Sequence, residues 1–225
     1  MSRVLLVVEG QTERAILQQL LAPWLSAKGV FLSPKIVGKP GHKGGARDFS
    51  AVLREILALL KQEPTSTVTT FFDYYALPSS WPRAAAPKDK PSPAIPSLIE
   101  QGMAEAVGKA MGSSFNPARF IPYIQMYELE ALLFAGPKEM ADVFENPRLE
   151  ATFSGIVAAS GGCESIDDGA TTAPSKRITT HFPPYKKGSG VNAHAPRIVN
   201  RIGIDRIRQA CPHFNKWIGR LEGIH

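Results

Sequence analysis

The stretch "VLLVVEGQTE", Val4 to Glu13, sets the reading of the whole chain. Arg3 to Val8, short and rich in Val and Leu, reads as a buried strand. Glu9 closes the run and Gly10 follows at once. A helix then opens at Gln11 and extends to Ala27, with Ile16, Leu17, Leu20, Leu21 and Leu25 at helical spacing. Thr12 is its expected N-cap. Gly10 permits the tight strand-to-helix turn and keeps Glu9 and Glu13 on one side.

Working outward, the same alternation repeats. Val30 to Val37 reads as a second strand, Asp48 to Leu60 as an amphipathic helix, and Thr67 to Phe72 as a third strand ending on Asp73. Ile95 to Met111 reads as a helix and Arg119 to Gln125 as a fourth strand. Glu128 to Phe134 reads as a short helix or a continuation of that strand. Two stretches interrupt the pattern: the Gly-rich "GKPGHKGGAR" from Gly38, and a Pro-rich segment after Asp73 that excludes regular structure. The expected fold is α/β, a mostly parallel sheet flanked by helices. Strand signals vanish after about Gly136. Residues 1–135 are therefore expected to form the core, and residues 136–225 an α-rich C-terminal cap with a basic stretch from Lys176 to Lys187.

Composition narrows the class. Of 225 residues, 44% are hydrophobic and 20% charged, as in ordinary globular proteins. No run approaches the roughly 18 apolar residues that span a bilayer, and Glu9 and Glu13 break any signal-peptide core. The two cysteines, Cys163 and Cys211, have no metal-type spacing, which fits a reducing compartment and a cytoplasmic location. The five histidines show no zinc-type pairing either. A net charge of +6 leans toward polyanionic partners.

The acids fall in a pattern. Glu9, Asp73 and the pair Glu128 and Glu130 each follow a predicted strand, and Glu13 lies in the first helical turn. Ligands of open parallel sheets bind at the carboxyl edge, near the reversal of strand order. Two carboxylates about 4 Å apart repel by roughly 4 kcal/mol at an effective dielectric of 20. Such a cluster must protonate, pair with Lys or Arg, or bind a cation. An oxygen-only set favours Mg²⁺ or Mn²⁺ over zinc. Taken singly, each acid is as well explained by a helix dipole, a turn or a solvated edge. The basic residues Lys43 and Arg47 beside the Gly-rich loop, and Lys176, Arg177, Lys186 and Lys187, are candidates for holding substrate phosphates. "FDYYALPSSWP" places Tyr74, Tyr75 and Trp81 beside Asp73, either for base stacking or for packing under the C-terminal cap.

"VVEGQTE", "FFDYYALP" and "YIQMYELEALLF", with "TAPSKRITTHFPPYKK" near the C-terminus, resemble the Toprim-like family numbered 4276 among domains of unknown function. More distantly they resemble the OLD-type Toprim nucleases. That resemblance implies a strand-end glutamate at Glu9, a following acid at Glu13 and the first aspartate of an Asp-x-Asp pair at Asp73. Together these would hold divalent cations for phosphodiester chemistry, with Lys176 as a further catalytic residue. Tyr75 stands where the second aspartate would be, which either disables the site or transfers its role to Glu128 or Glu130. The expected activity is metal-dependent hydrolysis of nucleic acid in bacterial antiviral defence, beside an ABC-type ATPase subunit. The alternatives are a non-catalytic module that binds nucleic acid or the ATPase, and a phosphotransferase or phosphatase for small substrates.

Overall fold

The computed structural model describes residues 1–37, 48–82, 94–167, 169–186 and 188–224. Its first half is β1 (Ser2–Val8), α1 (Gln11–Ser26), β2 (Val30–Ile36), α2 (Phe49–Gln62), β3 (Thr67–Asp73), α3 (Ile95–Met111), β4 (Phe120–Ile121) and β5 (Ile124–Gln125). All pairings are parallel, in the order β2-β1-β3-β4, with β5 also on β3. The chain is α/β, as its alternating pattern predicts.

The order β2-β1-β3-β4 contains a reversal. From β1 the chain moves outward to β2, and from β3 it moves outward in the other direction to β4. Right-handed crossovers in opposite directions place their helices on opposite faces. The packing agrees. Val4, Leu6 and Val8 of β1 point into one apolar core with α1, whereas Leu5 and Val7 point into a second core with α2 and α3. Both faces of β1 are thus covered, which is why its sequence is continuously apolar. The carboxyl ends of β1 and β3 are hydrogen-bonded neighbours, Val8 opposite Phe71, at the reversal itself.

The C-terminal region is helical: α4 (Pro137–Val143), α5 (Arg148–Ser160), α6 (Pro174–His181), α7 (Ser189–Ile202), α8 (Ile204–Ala210) and α9 (Pro212–Glu222). These helices share the core of α1. Phe153, Val199, Phe214 and Leu221 cluster with Leu17 and Leu21. Cys163 and Cys211, distant in sequence, are both free thiols buried in this core. No helix among the described residues is long and apolar enough to cross a membrane.

Four local expectations are corrected or, for the segment after Glu128, decided in favour of the short helix. The fourth strand is two short pieces rather than one, because Pro122 has no N–H to contribute to the ladder. The Thr70 hydroxyl repairs the gap by accepting the Tyr123 N–H (2.9 Å) and donating to the Tyr123 carbonyl (3.0 Å). The segment after Glu128 is a 3₁₀ helix, Leu129–Ala135, buried except for Glu130. Thr12 does not cap α1. Gly10 holds the N-cap position, and the Thr12 hydroxyl instead donates to Asn192 of α7 at 2.8 Å.

The aromatic loop is the fourth correction. Trp81 is 2% exposed, with Phe49 and Phe72 at ring distances of 5.4 and 5.0 Å, and Tyr74 is buried in the same core. They pack on the α2 and α3 side, not beneath the C-terminal helices. Moving Trp81 out to stack a base would gain about 1–3 kcal/mol. It would forfeit burial worth about 1.5–3 kcal/mol and two ring contacts worth about 0.5–1.5 kcal/mol each. Burial wins, and only Tyr75, at 49% exposure, remains open to solvent.

Candidate functional site

Glu9 follows the last residue of β1, and Asp73 is the last residue of β3, so neighbouring strands deliver both to the reversal. Asp73 also stands opposite Gln125 of β5 in the parallel ladder. Glu128 and Glu130 arrive from the turn beyond β5, and Glu13 from the first turn of α1.

The five acids share one electrostatic environment. Burial pushes the Asp73 carboxyl well above the ordinary carboxylate range, and the charges of Glu130, Glu13, Glu9 and Glu128 push it in the same direction. The Asp73 Oδ1 atom is buried and has no hydrogen-bond partner among the described residues. A buried carboxylate oxygen without a donor costs about 1–3 kcal/mol or more. No Lys or Arg among the described residues forms a salt bridge with Asp73 to offset this. The Tyr185 hydroxyl is buried nearby, and burial followed by the charges of Glu130 and Glu128 raises its pKa well above the usual phenol value.

Gly10 contributes by its size, not by its backbone angles. Its φ of −144° and ψ of 178° are extended and open to any residue. A Cβ there would stand 2.7 Å from a Glu13 carboxylate oxygen. The missing side chain lets Glu13 fold back over the turn toward the sheet edge.

Glu128 behaves differently from the other four. One carboxylate oxygen accepts the Ser175 N–H at 2.8 Å, and the other accepts the Ser175 hydroxyl at 3.1 Å. Both bonds fasten the first turn of α6 to the acidic edge, where a negative charge also suits the helix dipole. Lys176, next in that turn, is exposed. Arg177 is half-buried, and its Nε donates to the Thr172 carbonyl at 2.7 Å, bracing the turn before α6. Lys186 is exposed beyond the end of α6. Lys43, Arg47 and Lys187 lie outside the described residues.

Among the described residues, no group of three or more Asp, Glu, His or Cys side chains is already arranged as a cage for a metal ion. The donor chemistry nevertheless fits a hard cation, since the set is all oxygen and includes a buried oxygen that lacks a donor. Ser175, Gln125 and Tyr185 escaped the sequence reading. A Ser just after Pro174 at a helix start was the one signal available for Ser175.

The chain belongs to the family described as "Domain of unknown function (DUF4276)", which its sequence matches over residues 8–222. No curated protein and no solved structure matches it.

Proposed function

We propose that this DUF4276 protein is a divalent-cation-dependent, Toprim-like nuclease whose centre is the acidic edge at the sheet reversal. The observation that carries the reading is the buried, donor-less Asp73 oxygen among four further carboxylates. That arrangement destabilises the protein on its own, and a bound cation relieves it. Glu9, Glu13, Asp73 and Glu130 are assigned to hold Mg²⁺ or Mn²⁺. Glu128, whose two oxygens serve Ser175, is assigned to position α6. A cation held there would supply Lewis acidity toward a phosphoryl oxygen and would acidify water.

The residues of the chain then divide the remaining work. Burial and the neighbouring carboxylates raise the Asp73 pKa, and a cation held there would favour its charged form. Lys176, carried to the rim by the Ser175–Glu128 bonds, and Arg177 are assigned to the substrate phosphates. An acidic edge repels a polyanion unless basic side chains offset its field. Nucleic-acid hydrolysis in defence, and an ABC-type ATPase partner, follow from the same Toprim-like reading.

A second reading has one observation in its favour. Tyr75 occupies the position of the second aspartate, and it is half exposed, which suits a module that binds nucleic acid without cutting it. One experiment separates the two. Calorimetric titration of Mn²⁺, paired with cleavage of single- and double-stranded DNA and RNA, should give saturable binding and cleavage that Asp73→Asn abolishes. Saturable Mn²⁺ binding without cleavage selects the binding module, and no Mn²⁺ binding overturns the assignment of the edge. Neutralising Lys176 and Arg177 together should weaken nucleic-acid binding and reduce its log–log salt slope by roughly one to two.

A further inference from the structure

A second site lies between α3 and α9. It is a cavity of about 260 Å³, floored by Tyr123 and Trp217 and walled by Glu100 of α3 and His213, Lys216 and Arg220 of α9. His213, Lys216 and Arg220 follow one another at helical spacing, so a single stripe of α9 delivers three nitrogen bases to one wall. Like charges at this spacing repel, and a fold selected only for stability would alternate them with acids.

The acid that is present serves another purpose. Glu100 Oε1 accepts both the His213 Nε2–H at 2.8 Å and the Ile124 N–H at 3.0 Å. Burial alone would lower the His213 pKa, but the bond to Glu100 and the charges of Glu100 and Glu164 outweigh it and raise it. Glu100 and His213 thus form a hydrogen-bonded pair. Lys216 and Arg220, both exposed, form no salt bridge among the described residues. Two cationic side chains without an acidic partner among the described residues therefore stand above an aromatic floor. The Tyr123 ring is already stacked with His213 (5.0 Å) and Trp217 (4.4 Å), so the floor is rigid.

We infer that this cavity binds a phosphomonoester dianion through Lys216 and Arg220, with His213 positioned beside them by Glu100. Charge decides the class. A phosphomonoester carries a charge of about −1.5 to −2 at neutral pH and offers three acceptor oxygens, whereas a phosphodiester carries one charge. Two cations, one of them a guanidinium suited to bidentate phosphate contact, match the dianion. Volume sets the size. The cavity is just below the roughly 300–1,000 Å³ of pockets for drug-sized ligands, so it holds the phosphate end of a molecule whose remainder extends into solvent. The same chemistry is offered by a free mononucleotide and by the terminal phosphate of a nucleic-acid strand. This inference stands on residues that the acidic edge does not use.

Calorimetry in EDTA, with no divalent cation present, keeps its outcome separate from that of the metal site. Inorganic phosphate and a nucleoside 5′-monophosphate should both bind the full chain saturably. The Lys216→Ala/Arg220→Ala variant should bind at least about tenfold more weakly, while its melting temperature, governed by residues other than these exposed cations, stays unchanged. A 5′-phosphorylated oligonucleotide compared with its 5′-hydroxyl twin identifies the source. A preference for the phosphorylated strand that the double variant loses assigns the site to strand ends, and equal binding of the two strands assigns it to free monoesters. Absence of saturable binding by both phosphate and the monophosphate, or unchanged affinity in the double variant, would overturn the inference.

Discussion

Glu222 and Asp73 are both acids pressed against this fold, and the protein treats them in opposite ways. Glu222, at the end of α9, accepts two bonds from Arg208 (2.7 and 3.2 Å) and one from the Trp24 indole, with Lys28 at 3.7 Å. Burial acts to raise its pKa, but Arg208, Trp24 and Lys28 outweigh burial and leave it below the usual value. Among the described residues Asp73 has neither a donor for its buried Oδ1 oxygen nor a salt-bridge cation, and burial and the charges of Glu130, Glu13, Glu9 and Glu128 all raise its pKa. The same chain that satisfies one carboxylate so fully leaves the other exposed to repulsion. Such repulsion, placed at the reversal of a parallel sheet where ligands of open α/β sheets bind, is what the proposed cation site rests on.

The sharpest way to break this contrast is catalytic. Asp73→Asn or Glu9→Gln should reduce metal-dependent cleavage by more than about 100-fold, beyond the roughly 10–100-fold cost of losing a residue that merely supports a ligand. Retention of wild-type turnover would return these acids to the same class as Glu222.

Stability supplies the next test, with opposite signs at the two sites. Glu222→Gln should cost about 1.5–3 kcal/mol in chemical denaturation, the worth of hydrogen bonds to a charged group. Asp73→Asn, measured in EDTA, should leave the midpoint unchanged or raise it, because it removes a repelled charge. A matching loss in both variants would erase the distinction.

The pH dependence follows from the direction of the Asp73 shift. Its folded pKa lies above its unfolded one, so its contribution to stability is full below the unfolded value and is lost as pH rises through the folded value. In EDTA the wild-type midpoint should therefore fall more steeply than that of Asp73→Asn as pH climbs above the ordinary carboxylate range. Saturating Mn²⁺ should flatten the wild-type profile. Parallel profiles for the two proteins in EDTA would mean that Asp73 is ordinarily ionised and unstrained.

The smallest effect belongs to Gly10. Gly10→Ala keeps an allowed backbone but displaces the Glu13 carboxylate. Calorimetry should show a several-fold weaker Mn²⁺ affinity with a stability change within about 1 kcal/mol. An unchanged affinity would remove Glu13 from the ligand set.

Much of this was legible in the sequence because burial leaves a periodic signature. The unbroken apolar run of β1 marked a buried strand, and Glu9 and Asp73, placed just after the first and third apolar runs, do arrive on neighbouring strands. The rest depended on contacts between residues remote along the chain, for which no local pattern exists. Nothing near Glu128 indicates that Ser175 would occupy both of its oxygens, and nothing near His213 indicates Glu100. The aromatic loop after Asp73 misled because its Pro-rich sequence signals irregular backbone, not exposure. Trp81 is irregular and buried at once. The split of the fourth strand was visible in Pro122, but its repair by the Thr70 hydroxyl was not.

The tether between Glu128 and Ser175 has a consequence for the order of events during synthesis. Glu9 and Asp73 leave the ribosome early, and strands β1 to β3 can pair before the C-terminal helices exist, since domains build from the N-terminal side as the chain emerges. The first turn of α6 cannot reach the acidic edge until Ser175 has been translated, and the Thr12–Asn192 bond waits longer still. A nascent chain therefore carries Glu9 and Asp73 before the helix whose first turn binds Glu128 exists. Attachment of α6 to the acidic edge is thereby deferred until Ser175 has been added.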